Sequence, residues 1–146
     1  MKTVFADSAY WIAVVKPHDQ WSDAAKKARD SLGSARLITT DEVLTEFLAA
    51  LGSSGQKLRQ QAGKMVRAII ANPNVKVIPQ SRDSFLRGLE FFESRGDKSY
   101  SLTDCISMNA MRAEDLTEVL TNDHHFEQEG FTVLMRKQAQ GVPDQS

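Results

Sequence analysis

The chain has 146 residues, 41% hydrophobic and 25% charged, with a formal net charge of −1 at pH 7. This is the composition of one globular domain with a sizeable core, and the near-neutral balance excludes a global positive field that would draw in nucleic acid. No apolar run approaches the ~20 residues that span a bilayer, and MKTVFADSAYW lacks the long apolar stretch and cleavage site of a signal peptide.

In chain order, KTVFA at 2–6 reads as a short buried strand and SAYWIAVVK at 8–16 as a helix stopped by Pro17. HDQWSDAAKKARDSL, 18–32, reads as a second helix closed by Gly33. ARLIT at 35–39 is a strand. Thr39 and Glu42 then have the spacing of a capping box that opens the helix of DEVLTEFLAAL. Gly52-Ser-Ser-Gly55 breaks it, and residues 56–71 continue as a helix to Asn72-Pro73. VKVIP at 75–79 is a third strand, and 81–95 is helical, with Gly96 as the stop. A helix carrying Asp104 follows. TEVLT (117–121) is a fourth strand, DHHFEQEG a short helix or turn, and FTVLM (131–135) a fifth strand. One domain over 1–136 is expected, with a frayed polar tail over 137–146. Repeated strand–helix alternation implies a parallel sheet covered on both faces, and in such sheets ligands bind just past the carboxyl ends of strands.

The Asp104 helix is unusual. In DKSYSLTDCISMNAM, residues 97–111, Leu102, Cys105, Ile106, Ala110 and Ala113 form one apolar stripe. Asp104 lies on the other side, where its i+4 and i+7 neighbours are Met108 and Met111 rather than Lys or Glu. A carboxylate on a helix with two apolar sides needs a partner. Cys105, the single cysteine, cannot form an internal disulfide; it reads as a small buried hydrophobe in a reducing, cytoplasmic protein.

Three more acids occupy matching places. Asp7 immediately follows the first strand, Asp123 follows the fourth, and Glu46 lies in the first turns of the helix after the second. Each has an ordinary explanation. Asp7 can cap the helix that starts at Ser8, Asp104 can close a Ser101-x-x-Asp box, Asp123 can begin a turn, and Glu46 can be a surface carboxylate. The topology nevertheless brings all four to one edge of the sheet. Clustered carboxylates repel until some are protonated or a cation binds, and oxygen-only ligands suit Mg²⁺ or Mn²⁺. The expected partner of Asp104 is therefore a metal ion, able to activate water and hold a phosphodiester.

FADSAYW, TEFL, SLTDCISMNAM and VLTNDHHF, taken together, resemble the PIN-domain nucleases. The similarity is closest to VapC-like toxins of bacterial and archaeal toxin–antitoxin pairs and their solitary relatives. It runs from Lys2 to about Met135. Carried over by position, the resemblance makes Asp7, Glu46, Asp104 and Asp123 the acidic set that holds Mg²⁺ or Mn²⁺. Ser8 and Thr121 match hydroxyl positions that orient ligands or water. The resemblance further implies a three-layer α/β/α sandwich with a mostly parallel sheet of four to five strands. It also implies metal-dependent cleavage of RNA by activated water, frequent homodimers and, in toxin members, a small antitoxin that covers the site.

Other features stay open at this level. His124 and His125 read either as phosphate contacts or as a turn with one packed and one solvated ring. Asp97 is an outer-shell acid or a plain loop aspartate, and Asp41 and Glu42 suit a helix start. Tyr10, Trp11 and Trp21 read as core or dimer contacts, or as base-stacking groups. From Lys57 to Arg87 seven basic residues face one acid, Asp83; Arg59, Lys64, Arg67 and Arg82 are candidate RNA contacts, against the reading of a solvated face. A non-catalytic interaction module is the alternative function. A phosphatase is disfavoured, because those enzymes typically carry a second acid two residues after the nucleophilic aspartate, and here that place is Ala9.

Overall fold

In the computed structural model, which describes residues 1–137, Val4, Phe5 and Ala6 are wholly buried. Their continuous apolar run suits a strand covered on both faces. It forms β1 (Lys2–Ala6), the centre of a five-stranded sheet completed by β2 (Ala35–Thr40), β3 (Val75–Ile78), β4 (Glu118–Leu120) and β5 (Thr132–Val133). The order is β3-β2-β1-β4-β5, and every pairing is parallel. Phe5 stands opposite Ile38 on one side and Val119 on the other.

The helices are α1 (Ser8–Val15), α2 (Ser22–Leu32), α3 (Asp41–Gly52), α4 (Gln56–Ala71), α5 (Arg82–Ser94), α6 (Leu102–Ala113) and α7 (His125–Gln128). Right-handed crossovers from β1 to β2 to β3 put α1 to α4 on one face; the return past β1 to β4 puts α5 and α6 on the other. α1 packs against α2 and α3, α3 against α4, and α5 against α6, while α3 also meets α6. The result is a three-layer α/β/α sandwich. The strand order reverses between β1 and β4, and such a switch point opens a crevice at the strand ends.

The structure moves several local expectations. The second helix starts at Ser22 rather than at residue 18. His18 takes a left-handed backbone (φ 58°), and Asp19 Oδ2 accepts from the Trp21 amide at 2.9 Å, so the segment turns instead of coiling. Thr39 does not cap α3. It is the buried end of β2, donating its hydroxyl to the Ala6 carbonyl, while Thr40 accepts from Val43 N. On α6 the most deeply buried side is the one with Asp104, Met108 and Met111, together with Cys105 and Ser107, while Ala113 is exposed. The Leu102–Ile106 edge meets α5 at Gly88, where an added Cβ would lie 2.5 Å from Ile106 Cγ1. Tyr10 and Trp11 are core residues and Trp21 is half-buried. Lys137 lies 4.5 Å from the centre of the Trp21 ring; the rest of the expected tail lies outside the described residues.

Candidate active site

The crevice beyond β1 and β4 is lined by residues whose positions follow from these elements. Asp7, first past β1, stands at the N-cap of α1 but makes no side-chain capping bond. It is only 4% exposed. Oδ2 accepts the Thr121 hydroxyl at 2.8 Å, whereas buried Oδ1 has no partner. Burial is the main reason that its carboxyl is pushed up to about 7; the Thr121 bond opposes this, and the charges of Asp104 and Glu46 add to it.

Beside Asp7, Ser8 donates its hydroxyl to Glu46 Oε1 from across the α1–α3 contact. Glu46 is thus half-buried and turned toward the crevice rather than lost to the surface. Asp104 is at the third position of α6 and is 8% exposed. The ordinary explanation for it holds: Ser101 N donates to Asp104 Oδ2 and Asp104 N to Ser101 Oγ, each at 3.0 Å, a reciprocal capping box. That bond does not neutralise the charge. Burial first, then Asp123 and Glu46, raise the Asp104 carboxyl, although the Ser101 bond lowers it.

Past β4, Thr121 Oγ1 accepts from Asp123 N at 3.2 Å, and Asp123 Oδ1 accepts from His125 N at 2.9 Å. His125 Nδ1 lies 3.1 Å from Asp123 Oδ1 and 3.6 Å from Asp104 Oδ2, yet makes no hydrogen bond. One ligand atom from each of Asp104, Asp123 and His125 falls within 4.8 Å of the others. Among the described residues, no Lys or Arg pairs with any of the four acids.

Of the two readings of the histidine pair, the turn with one packed and one solvated ring is the one found: His125 packs and His124 is exposed. Beyond that reading, His125 stands beside two of the acids. Its approach to Asp104 depends on the β4–α7 connection, which no local pattern encodes. Asp97 is exposed and pairs with Lys98. Asp41 accepts from Gln80 N and Glu42 from Ser84 Oγ, so both serve the start of α3. Cys105 is buried, and burial pushes its thiol up to about 11, far from a nucleophile. Arg59, Lys64 and Arg67 are exposed on α4 and Arg82 on α5, so the four do not share one helix. Arg59 donates to the Gly52 carbonyl, and the Arg82 guanidinium lies over Phe85.

No protein-family model and no curated protein matches the sequence. Solved structures do match in three dimensions. VapC20 of Mycobacterium tuberculosis, a Sarcin-Ricin loop cleaving toxin, aligns with a TM-score of 0.80 at 23% identity, covering 91% of this chain and 99% of its own. VapBC2 from Rickettsia felis, bound to a promoter DNA fragment, gives 0.63 at 14% identity over 90% and 96%. FitAcB from Neisseria gonorrhoeae gives 0.60 at 13% identity over 90% and 96%. With its five-stranded parallel sheet and helices on both faces, this chain has the VapC-like PIN-domain fold.

Proposed function

We propose that this chain is a divalent-metal-dependent ribonuclease of the VapC-like type, hydrolysing RNA phosphodiester bonds with water. One observation carries the reading: Asp7 is buried with Oδ1 unpartnered, among acids that no described Lys or Arg neutralises. Asp7, Glu46, Asp104 and Asp123 together hold Mg²⁺ or Mn²⁺, hard ions suited to carboxylate oxygens. When bound, the ion supplies Lewis acidity and water of lowered pKa. The chain supplies the positioning. Thr121 fixes Oδ2 of Asp7 and leaves Oδ1 free for a ligand, Ser8 turns Glu46 inward, and Ser101 holds Asp104. Asp123 and His125 are the more exposed members, on the side where a phosphate enters. With Cys105 inert, hydrolysis proceeds without a covalent protein intermediate.

A protein antitoxin as partner, a homodimer and a cytoplasmic location complete the reading. Supporting the first, the similar structures include VapBC and FitAB assemblies bound to DNA. Supporting the second, α5 exposes Phe85, Leu86 and Phe92. For the third, no helix among the described residues is long and apolar enough to cross a membrane, and a lone buried cysteine suits a reducing compartment.

The decisive experiment is cleavage of purified cellular RNA, stopped by EDTA and restored by Mn²⁺, with Asp104→Asn inactive. Equal cleavage by Asp104→Asn, with contaminating nuclease excluded, overturns the assignment.

A further inference from the structure

We propose that Glu129 is a positioning residue for the acidic site: it pins, through Tyr100, Arg95 and Arg112, the two segments that carry Asp104 and the Asp123–His125 pair. The inference rests on the metal-site reading above and extends it to a residue that touches none of the four acids.

Glu129 follows α7 at its C-cap, and its side chain is only 8% exposed. Arg95 at the end of α5 grips it twice, Nε to Oε2 at 2.9 Å and Nη2 to Oε1 at 3.2 Å. Arg112 in the last turn of α6 donates to Oε1 at 2.9 Å, and the Tyr100 hydroxyl donates to Oε2 at 2.8 Å. Both guanidiniums also pack over the Phe91 ring, at 4.8 and 5.0 Å from its centre. These charge-assisted bonds hold Glu129 ionised, its carboxyl lowered to about 2.

From this clamp three links lead to the site, two of them through Tyr100. Its ring meets the His125 imidazole edge-on, with centroids 5.5 Å apart. Its chain neighbour is Ser101, the N-cap whose amide holds Asp104 Oδ2. On the other side Glu129 closes α7, which is four residues long, takes no capping bond from its N-cap residue His124 and starts two residues past Asp123. A helix that short has no stability of its own, so its position must come from anchors. At its start His125 N donates to Asp123 Oδ1, in its middle Phe126 is fully buried and Glu127 pairs with Arg136, and at its end stands Glu129. Glu129 is 8% exposed while Arg95 and Arg112 are 38% and 42% exposed, so the carboxylate is the fixed point on which the ends of α5 and α6 converge.

The test is calorimetric titration of the full-length protein with Mn²⁺, alongside thermal unfolding, for the parent, Asp104→Asn, Glu129→Gln and Tyr100→Phe. Tyr100→Phe keeps the ring against His125 and removes only the tether, so it remains informative if Glu129→Gln does not fold. The expected result is Mn²⁺ binding weakened about tenfold by either variant, the scale on which outer-shell partners act. In an Asp123→Asn background, Glu129→Gln should weaken binding less than it does in the parent, because one of the two segments it positions has already lost a ligand; an undiminished effect there would contradict the positioning role. Folded Glu129→Gln or Tyr100→Phe protein that binds Mn²⁺ like the parent, whatever its melting temperature, reduces Glu129 to a structural residue and overturns the proposal. A parent that binds no Mn²⁺, or binds it as well as Asp104→Asn does, instead overturns the metal site itself, and this inference with it.

Discussion

Thr121 donates its hydroxyl to Asp7 Oδ2 across 2.8 Å, joining the residues just past β1 and β4 over 114 positions of sequence. That single bond fixes which oxygen of a buried carboxylate stays free, and it favours the ionised form. Thr121→Val keeps the shape and removes the donor. The acid limb of the pH–rate profile for Mn²⁺-supported RNA cleavage should move to higher pH. An unmoved profile would separate Thr121 from the ionisation of Asp7.

Asp104 has two jobs that can be separated. Asn at this position still offers an oxygen to the Ser101 amide, so Asp104→Asn should keep α6 and the melting temperature while reducing cleavage to background. Ser101→Ala removes the side-chain half of the box and should cost ~1 kcal/mol of stability, while the carboxylate remains. Circular dichroism melts and RNA cleavage, measured on both variants, give opposite patterns if this division is right.

Stability of the metal-free protein should fall as pH rises from about 4 to 7. Asp7 ionises near 3.8 when unfolded but at about 7 when folded. The folded state therefore binds the extra proton in this window, and stability decreases with pH across it. The gap corresponds to on the order of 4 kcal/mol, and the raised Asp104 acts in the same direction. Glu129 has the opposite sign: its contribution is full above 4.5 and is lost as pH falls toward about 2. Melts in EDTA should be higher at pH 5 than at pH 8. Asp7→Asn should flatten the difference, and Mn²⁺ should raise the melting temperature more at pH 8 than at pH 5. A metal-free protein that melts higher at pH 8 would contradict the acid cluster.

Arg59 and Lys64 are exposed on α4 and belong to no ion pair among the described residues. Charge reversal at both should weaken RNA binding and flatten its salt dependence, by ~0.7 in log–log slope for each phosphate no longer neutralised. Lys76→Glu is the comparison, since Lys76 already pairs with Glu114. Filter binding at several salt concentrations gives the slopes, and an unchanged slope removes α4 from the RNA path.

Much of this architecture is legible from residue order. Asp7 announces itself by following a strand directly, and Asp104 by sharing its helix face with Met108 and Met111. Those methionines are on the deeper face of α6, while α5 packs against its Leu102–Ile106 edge at Gly88. Two adjacent threonines at the end of β2 hid the true cap: strand burial takes Thr39, leaving Thr40 for α3. What stayed illegible is non-local. Glu129 sits in a run, FEQEG, that reads as a plain turn; its partners Arg95, Tyr100 and Arg112 lie 34, 29 and 17 positions away. Local periodicity carries no trace of such a cluster.

The reversal of strand order beside β1 also sets when the pocket can exist during synthesis. A nascent chain halted before Glu118 already carries Asp7, Glu46 and Asp104, but not β4, Thr121, Asp123 or His125. One wall of the cup is then missing, and Asp7 lacks the hydroxyl that holds its Oδ2. On the proposed function, cutting competence arrives only once β4 and the residues just past it have been made, long after the first three acids of the cup.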